Sequence, residues 1–344
     1  MPKATIDDVA DLAGVSIKTV SRVINREPNV RQSTREKVDR AITKLRYRPN
    51  QSARSLASHR SRLIVLVYDD PGEYEVPSGG FVIRMQQGAL RACKSANFNL
   101  LIHPCNYRDK HVTDELQGLI ERTRPDGVVL AAPLSNMPRL VNAIAATNTP
   151  LVRLSPGRSK GQEFAVGTDD RRVCAEMTRH LASLGHSRIA FITGHRNHKA
   201  VANRFLGYKD GLRQSDLDFD ESLVAAGDNS LRSGHAAAEK LLALDPRPTA
   251  IFAANDDMAA GVIHVANRLG IDIPGELSVA GFDDGALAQQ IYPALTTVRQ
   301  PLSAMAEHAS AALIDEAGKP QIERETEVIP ATLKIRESTG PAPA

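Results

Sequence analysis

The sequence predicts an α/β protein in two parts: a small N-terminal helix-turn-helix domain and a larger core of two doubly wound α/β subdomains. Three observations predict this class. Residues 1–60 hold 13 Lys and Arg against 6 Asp and Glu, a net charge of +7, whereas the other residues hold 30 against 34. Two short helical patterns in that basic stretch meet at a glycine. Beyond residue 62, short β-branched runs alternate with amphipathic helical patterns, as in parallel sheets flanked by helices.

Composition excludes several classes of protein. The chain has 344 residues, 42% of them hydrophobic and 24% charged, with three cysteines and no tryptophan. Its longest apolar runs, such as residues 63–67, are far shorter than the ~18 residues of a membrane helix. Cys93, Cys105 and Cys174 form no CxxC pair, and residues 1–8 lack the apolar stretch of a signal peptide. We therefore expect a soluble, cytoplasmic protein without disulfides.

The basic head should fold as three helices. Thr5 can cap the first helix, Gly14 ends it, and Ser16 can cap the second. Ser33, with Glu36 three residues later, predicts a capping box at the start of the third. Apolar positions recur at helical spacing in all three helices, so they can close a small core.

The second of these helices has a polar and basic outer face, made by Ile17, Lys18, Ser21 and Arg22. An arginine can bond a guanine bidentately, and Lys18 lies one turn before Arg22 on the same face. The face therefore indicates a nucleic-acid-binding module. The alternative interpretation of Lys18 and Arg22 is an ordinary solvated surface.

The head resembles the DNA-binding domain of the lactose-repressor (LacI/GalR) family of bacterial transcription regulators. The resemblance covers residues 5–58 and is carried by the motifs VADLAGVSIKTVSRVIN and YRPNQSARSL. It implies that Ile17, Lys18 and Arg22 contact bases in the major groove. It also implies contacts to the DNA backbone from Thr5, Ser16, Thr19, Ser21, Asn25, Thr34, Asn50 and Ala53.

Residues 50–61 follow the helix-breaking pair Arg48-Pro49 and are too few for a helix that is stable alone. The family resemblance implies a hinge helix that forms on operator DNA and pairs with its twin in a dimer. Leu56 would be the apolar wedge that enters the minor groove and bends the duplex. The alternative role of Leu56 is packing within an ordinary linker.

The resemblance continues through the core, in the motifs GHSRIAFITG, RFLGYKDGL, FAANDDMAAGVI, LSVAGFDD and LTTVRQP. They are similar to the family's regulatory core, which is related to periplasmic sugar-binding proteins and has two α/β subdomains joined by three chain crossovers. The predicted organisation is a helix-turn-helix domain at 1–49, a hinge at 50–61, a core at 62–335 with subdomains at 62–166 plus 296–327 and at 167–295 plus the tail, and a flexible tail at 336–344.

A ligand site is expected where the carboxyl ends of the parallel strands meet, since open α/β sheets bind ligands there. Polar side chains follow several predicted strands, and the resemblance makes Arg204 and Asp283 the principal effector contacts. Asn255 and Ser155 would line the wall, and Asp69 ends the first strand. The alternative for Arg204 and Asp283 is a structural ion pair across the subdomain gap. For Asp256 and Asp284, helix capping is the preferred interpretation.

The effector is the least determined part of the prediction. Many family members have an aromatic stacking residue where this chain has Asn229, so a replacement would come from Tyr68, Tyr74, Phe81 or Tyr107. A purine effector is disfavoured, because His198 and Ala200 stand where purine-binding relatives have Arg and Thr. These departures favour a sugar or sugar derivative, and the mildly acidic core suggests an uncharged polyol.

The predicted function is a ligand-responsive transcriptional regulator, most simply a repressor, that binds a pseudo-palindromic operator as a homodimer. The C-terminal residues show no heptad repeat of the kind that forms a tetramerising coiled coil, so a dimer is expected. The alternative is a sugar-converting α/β enzyme with a DNA-binding head, although the chain has no P-loop, GxGxxG, GxSxG or HExxH motif. A solute-binding protein would conflict with the basic head. No cofactor is expected, and no metal site, because His186, His195 and His198 lack companion ligands at suitable spacing.

Overall fold

A computed structural model describes residues 4–24, 28–47, 60–70, 79–157, 164–317 and 325–343. The chain divides into two compact units, Met1–Ser61 and Arg62–Ala344. Most of the predicted hinge, including Leu56, lies outside the described residues. Within the described ranges, no helix is both long enough and apolar enough to cross a membrane.

The described part of the first unit contains three helices, as predicted from the sequence: α1 (Ile6–Ala13), α2 (Ile17–Ile24) and α3 (Gln32–Leu45). Val9, Val20 and Val38 come from one helix each and are completely buried, with Val23 and Ala41 packed beside them. This small apolar cluster gives the three helices a common core.

The ends of α1 and α2 follow local sequence signals. The Thr5 hydroxyl accepts a hydrogen bond from the Asp8 amide at 3.3 Å, and the Asp8 carboxylate accepts one from the Thr5 amide at 2.7 Å. Gly14 ends α1 in the left-handed conformation, with φ of 66°. Ser16 then caps α2, since its hydroxyl accepts from the Thr19 amide at 3.3 Å. These predicted caps are confirmed.

The capping box predicted at Ser33 and Glu36 is wrong. Helix α3 begins one residue earlier, at Gln32, and Arg31 precedes it without any side-chain cap. Ser33 therefore lies inside the first turn, where its hydroxyl is not in the capping position. Glu36 instead accepts a hydrogen bond from the Gln32 side chain at 3.2 Å.

The second unit alternates strands and helices along the chain. Its described helices are α4 (Gly79–Ser95), α5 (Val112–Thr123), α6 (Pro138–Ala146), α7 (Asp170–Ser183), α8 (Lys199–Gln214), α9 (Leu231–Leu242), α10 (Asp256–Arg268), α11 (Leu287–Gln290) and α12 (Leu302–Asp315). Its described strands are β1 (Leu63–Asp69), β2 (Asn99–Cys105), β3 (Gly127–Ala131), β4 (Leu151–Leu154), β5 (Ala165–Gly167), β6 (Ile189–Thr193), β7 (Val224–Ala226), β8 (Ala250–Ala253), β9 (Ser278–Ala280), β10 (Thr297–Arg299), β11 (Glu327–Val328) and β12 (Thr332–Lys334).

The first subdomain is built on a six-stranded parallel sheet in the order β11-β5-β4-β3-β1-β2. Successive side chains of β1 point to opposite faces. Ile64 and Leu66 pack with residues of α4 and α12, whereas Val65 and Val67 pack with residues of α5 and α6. Helices therefore cover both faces, as a doubly wound fold requires.

The second subdomain is built on a four-stranded parallel sheet in the order β7-β6-β8-β9. Helix α7 packs against α8 and helix α9 against α10. Phe191, Phe252, Tyr208 and Phe282 are completely buried in its core. The antiparallel pair of β10 and β12 extends this subdomain through a bridge between Ala280 and Thr296.

The chain passes between the subdomains after β5, again between β10 and α12, and again between β11 and β12. These passages follow from the order of the strands in the two sheets and from the two cores. The subdomain boundary expected at residue 296 differs from the structure, because Thr297–Arg299 pairs with β12 and Val298 is buried in the core of the second subdomain. The pairing of distant strands decides this boundary, and the local sequence pattern does not show it.

Residues 336–343 were expected to form a flexible tail, but in the structure they pack on the second subdomain. Ser338 is completely buried, and its hydroxyl donates to the Val279 carbonyl at 2.6 Å. The ring of His186 contacts the Ser278 hydroxyl at 2.9 Å and the Gly340 carbonyl at 3.1 Å. His186 therefore packs at the turn between α7 and β6 and also anchors the tail.

Candidate DNA-binding face and effector cleft

The outer face of α2 presents the three predicted base-contacting side chains to solvent. Ile17 is 47% exposed although it is a large apolar residue, and Lys18 and Arg22 are exposed beside it. Val20 and Val23 fill the opposite, buried face. An exposed isoleucine on the same face as two cations is suited to a groove that presents both thymine methyl groups and guanine acceptors.

Of the hydroxyl groups predicted to contact the DNA backbone, those of Thr5, Ser16 and Thr19 lie at helix starts. The Ser16 and Thr19 hydroxyls are 2.9 Å apart at the first turn of α2, and Thr5 caps α1. Ser21 and Thr34 are half-buried. Helix N-termini attract anions through their unpaired amides, so Ser16 and Thr19 stand where a phosphate would be favoured. The predicted contacts Asn25, Asn50, Ala53 and Leu56 lie outside the described residues.

In the second unit, Arg204 is the centre of a buried polar cluster. Its guanidinium pairs with Asp170 at 3.0 Å, donates to the Ala254 carbonyl at 2.6 Å and lies 3.6 Å above the Phe282 ring. An Asp283 carboxylate oxygen is 3.9 Å away. The structure thus brings Arg204 and Asp283 together as an ion pair, as the alternative interpretation expected, but both residues belong to the second subdomain, so the pair does not span the subdomain gap.

Asp283 lies in a backbone segment of unusual conformation. Its φ is 120° and that of Asp284 is 54°, values that non-glycine residues seldom adopt. Burial raises the pKa of the Asp283 carboxyl to about 6, although Arg204 and Arg84 oppose the shift. A carboxylate with this pKa changes charge just below neutral pH and can accept hydrogen bonds from ligand hydroxyls when ionised.

The predicted capping roles of Asp256 and Asp284 are wrong. Asn255, not Asp256, caps α10, because its amide oxygen accepts from the Met258 amide at 3.0 Å. The Asp256 carboxylate instead accepts from the Gly285 amide at 2.9 Å and from a threonine hydroxyl. Asp284 pairs with two arginines from β10 and the tail segment, at 2.5 Å each. Both aspartates therefore hold the loop that carries Asp283.

Asn255 also donates to the Asn229 carbonyl at 2.9 Å, so both ends of its amide are engaged within the protein. Asn229, the residue at the expected stacking position, has φ of 73° and accepts from the His195 amide at 3.2 Å. These contacts connect the loops after three neighbouring strands of the second sheet, β6, β7 and β8. Asn255 is therefore in a position to orient the site.

Two predicted residues belong to the first subdomain. Asp69 accepts from the Tyr107 amide at 3.0 Å, and burial raises the pKa of its carboxyl to about 6. Ser155 follows β4 in the left-handed region, with φ of 49°, beside an apolar surface that includes Phe81 and Met85. Within the described structure, neither residue forms a hydrogen bond or an ion pair with Arg204 or Asp283.

The two subdomains touch through contacts that sequence reasoning missed. Arg84 of α4 donates to the backbone carbonyls of Asp283 at 2.6 Å and Asp284 at 3.3 Å. The Tyr107 hydroxyl lies 2.8 Å from the His195 ring. A Cβ on Gly157 would approach Lys199 to 2.7 Å, so a glycine is required at that contact. These contacts define a cleft between the carboxyl ends of the two sheets.

Of the four aromatic residues considered as a stacking platform, Tyr107 is the one that lines an open part of this cleft. The groove has a volume of about 530 Å³, and residues of both subdomains line it. Tyr68 packs beside the core of the first subdomain together with Phe81. Tyr74 lies outside the described residues.

In the described part of the chain, one group of side chains lies close enough together to hold a metal ion. The ligand atoms of His103, Cys105 and Glu115 lie within 4.8 Å of one another. The His103 ring nitrogen already lies 2.9 Å from a Glu115 carboxylate oxygen, and burial raises the pKa of the Cys105 thiol to about 12. The nitrogen of His186 that faces Thr249 is 2.9 Å from that hydroxyl, so His186 is engaged structurally.

Comparison with known proteins gives matches over both units. The model for bacterial regulatory proteins of the lacI family matches residues 5–50, and that for the periplasmic binding protein-like domain matches residues 178–339. The chain is 34% identical over 342 residues to the HTH-type transcriptional regulator DegA of Bacillus subtilis, covering 98% of this chain and 99% of DegA.

Two solved structures also match the chain over nearly its whole length. The transcriptional regulator CelR-cellobiose complex has a TM-score of 0.74 at 31% identity, covering 97% of this chain and 99% of that chain. The lac repressor dimer bound to operator and the anti-inducer ONPF has a TM-score of 0.82 at 24% identity, and the match covers 98% of this chain and 100% of that chain.

A helix-turn-helix unit followed in one chain by an α/β unit with a cleft between two subdomains defines a transcription regulator with an effector-binding core. Relatives matched over nearly their whole length have the same organisation and are themselves named regulators. The chain belongs to the LacI family of bacterial regulatory proteins. It is a DNA-binding transcriptional regulator and not the sugar-converting enzyme that was the alternative.

Proposed function

We propose that this protein is a cytoplasmic, homodimeric repressor whose affinity for a pseudo-palindromic operator is controlled by a sugar or sugar derivative. The observation that carries the proposal is the presence in one chain of two features. One is the exposed face of Ile17, Lys18 and Arg22. The other is the cleft in which Arg204 and Asp283 lie 3.9 Å apart.

On DNA, each protomer reads one half-site. Arg22 bonds a guanine, Lys18 contacts a neighbouring base edge, and Ile17 packs on a thymine methyl. The hydroxyls of Ser16 and Thr19 fix the register on the phosphates, with Thr5, Ser21, Asn25, Thr34, Asn50 and Ala53 as further backbone contacts. Leu56 of each copy enters the minor groove at the centre of the site and bends the duplex.

In the core, the effector binds between the subdomains. Arg204 donates to its hydroxyls and Asp283 accepts from them, while Asn255 orients the Asn229 loop, and Ser155 and Asp69 contribute from the first subdomain. A sugar is favoured because the relative CelR was solved as a complex with cellobiose. Charged and amide side chains in a closed cleft suit the fixed hydroxyl pattern of such a ligand.

The two sites communicate through the cleft. An effector that binds better to one subdomain arrangement shifts the population of the core, and the hinge helices of the dimer respond to that shift. Thermodynamic linkage requires that effector and operator change each other's affinity by the same factor. A ligand that favours the DNA-bound arrangement would act as a corepressor, and one that disfavours it would act as an inducer.

The proposal is tested by selecting binding sites for the full chain from a random duplex library and then titrating the enriched duplex with the protein by fluorescence anisotropy. We expect a dyad-symmetric site and at least one sugar or sugar derivative that changes the operator Kd by about 5- to 150-fold. Lys240→Gln, an exposed charge on α9, is the control that should bind the duplex like the wild type. Failure to enrich any sequence would contradict the DNA-binding part of the proposal.

A further inference from the structure

The open groove of the effector cleft has an unusual charge. Tyr107, Pro133, Asn136 and Arg139 line it from the first subdomain, and Arg196, Asn197 and Lys199 line it from the second. Asp and Glu are absent from its described lining, whereas three cations are present. This contrasts with the acidic composition of the core as a whole.

The three cations have no counter-charge within the described structure. Arg139, Arg196 and Lys199 are exposed at the groove, and none of them makes an ion pair or a hydrogen bond with a described residue. Asp69 and Asp228 are engaged with other groups: Asp69 accepts from the Tyr107 amide, and Asp228 accepts from Ser230. Uncompensated positive charge gathered from two subdomains therefore faces one space.

A buried polar atom is also left without a partner in the groove. Asn136 is only 9% exposed, and its amide oxygen has no hydrogen-bond partner. Its amide nitrogen donates weakly to the Asn197 carbonyl, at 3.4 Å. A buried acceptor without a hydrogen-bond partner destabilises the folded protein. A ligand that carries a hydroxyl would satisfy this oxygen.

Two helix N-termini lie at the same place. Arg139 is in the first turn of α6, Lys199 is the first residue of α8, and neither helix has a side-chain cap. The first amides of a helix are unpaired and carry partial positive charge. The partial positive charge of these amides adds to the full charges of the three cations.

The environment of His195 is consistent with a positive potential. Burial lowers the pKa of this imidazole, and the charges of Arg108 and Arg196 lower it further, against the opposing effect of Asp228. His195 is therefore neutral at neutral pH and remains in contact with the Tyr107 hydroxyl at 2.8 Å. The imidazole therefore contributes no positive charge beside Tyr107, which lines the groove.

We propose that this groove binds the anionic group of a hydroxylated acid, so that the effector is a sugar phosphate or a sugar acid rather than an uncharged polyol. Arg139, Arg196 and Lys199 neutralise the phosphate or carboxylate, and the Asn136 oxygen accepts from a hydroxyl of the same molecule. The inference rests on the proposed function, because it specifies the ligand class of the same cleft. It also replaces the uncharged ligand expected from the composition.

The test compares matched ligands at constant ionic strength by thermal shift and titration calorimetry of the full chain. The panel contains common hexoses and pentoses, their monophosphates, their aldonic and uronic acids, and inorganic phosphate alone. We expect at least one anionic sugar to bind at least tenfold more tightly than its neutral parent, and inorganic phosphate to stabilise the protein weakly relative to chloride. The phosphate and acid arms of the panel distinguish the two sources of charge.

The variants Arg196→Gln and Lys199→Gln, singly and together, test the location. They should reduce the preference for the anionic ligand at least tenfold in the double variant while leaving any binding of neutral sugars unchanged. They should also abolish stabilisation by inorganic phosphate. Lys240→Gln is the matched control. Preference for a neutral sugar, or equal anion binding by the double variant and the wild type, would overturn the proposal, as would a complete lack of response to the anionic panel and phosphate.

The outcome is separable from that of the proposed function. A neutral sugar that releases or strengthens operator binding would leave the regulator proposal intact and refute the anionic ligand. An anionic sugar that binds through Arg196 and Lys199 but leaves operator affinity unchanged would support the groove and contradict effector control through the cleft.

Discussion

The environment of a single buried guanidinium sets the first prediction. Arg204 and Asp170 have side chains only 8% and 5% exposed, so each neutralises a charge that water cannot reach. Arg204→Met should lower the free energy of unfolding by about 3–5 kcal/mol, because Asp170 would remain buried without its partner. Chemical denaturation with urea measures this change.

The control for Arg204 is Arg171→Met. Arg171 pairs with Asp210 at 2.5 Å, but its side chain is 46% exposed. Water replaces the lost partner there, so the stability should change far less. Equal losses in the two variants would show that burial of the Arg204 pair does not determine its effect.

The second residue-scale prediction concerns pH. Burial raises the pKa of Asp69 to about 6, above the usual 3.8. Between these values the folded protein binds more protons than the unfolded chain, so this carboxyl makes the protein less stable as pH rises from 4 to 6. Asp69→Asn should therefore become more stable relative to the wild type at pH 7 than at pH 4, as measured by urea unfolding at both pH values.

Asp220 provides a control of opposite sign. Hydrogen bonds from the Ser222 hydroxyl and amide lower the pKa of its carboxyl. The stability that this carboxylate contributes is present above its pKa in the unfolded chain and is lost as pH falls through its pKa in the folded protein. Asp220→Asn should therefore lose more stability relative to the wild type at pH 7 than at pH 4. The same pH trend in both variants would contradict the assignment for Asp69.

At the scale of the element, helix α2 predicts a change in DNA recognition. Arg22 lies on its exposed face, away from the buried Val20 and Val23. Arg22→Gln should weaken operator binding by about 1–3 kcal/mol and relax the preference at one base pair of each half-site, without loss of folding. Anisotropy with single-base operator variants measures both effects. Unchanged selectivity would exclude Arg22 from base recognition.

Elements are also where sequence reasoning succeeded or failed. The caps at Thr5, Gly14 and Ser16 were predictable because each involves residues no more than a few positions apart. The capping box predicted at Ser33 was wrong because α3 starts one residue earlier, and the local sequence pattern is compatible with either start. The packed tail was missed because the partners of Ser338 and Gly340 lie about 60 and 150 residues away in sequence.

The effector cleft shows the same limit. Arg204 and Asp283 were identified through family motifs and do lie together, whereas Asp170 and Arg84 were not considered. Arg84 is separated from the carbonyls it binds by about 200 residues, and those acceptors are backbone atoms that carry no residue-type signal. Contacts of this kind depend on how the two subdomains meet, which no local pattern encodes.

At the scale of the whole molecule, Arg84 predicts how the core closes. It joins α4 of the first subdomain to the loop of Asp283 in the second. If the effector binds the closed cleft, Arg84→Gln should weaken its apparent affinity about fivefold, because fewer molecules are in the competent arrangement. Calorimetry measures the affinity for the active ligand. Small-angle scattering of the free protein measures whether fewer molecules are in the closed arrangement.

Arg91→Gln is the control on the same helix. Arg91 pairs with Glu307 at 2.8 Å and with the Ser303 hydroxyl at 2.7 Å, both within the first subdomain. It should leave effector affinity unchanged. Equal effects of the two substitutions would mean that the loss reflects α4 itself and not the contact between subdomains.

The three crossings of the chain have a consequence for biosynthesis. Strand β11 completes the first sheet, and β12 with residues 336–343 completes the second subdomain. Neither half of the core can be finished until β11, β12 and residues 336–343 have been synthesised, whereas the helices of the head come earlier in the chain and have their own core. A nascent or prematurely terminated chain would therefore present a folded head long before it has a core able to respond to an effector.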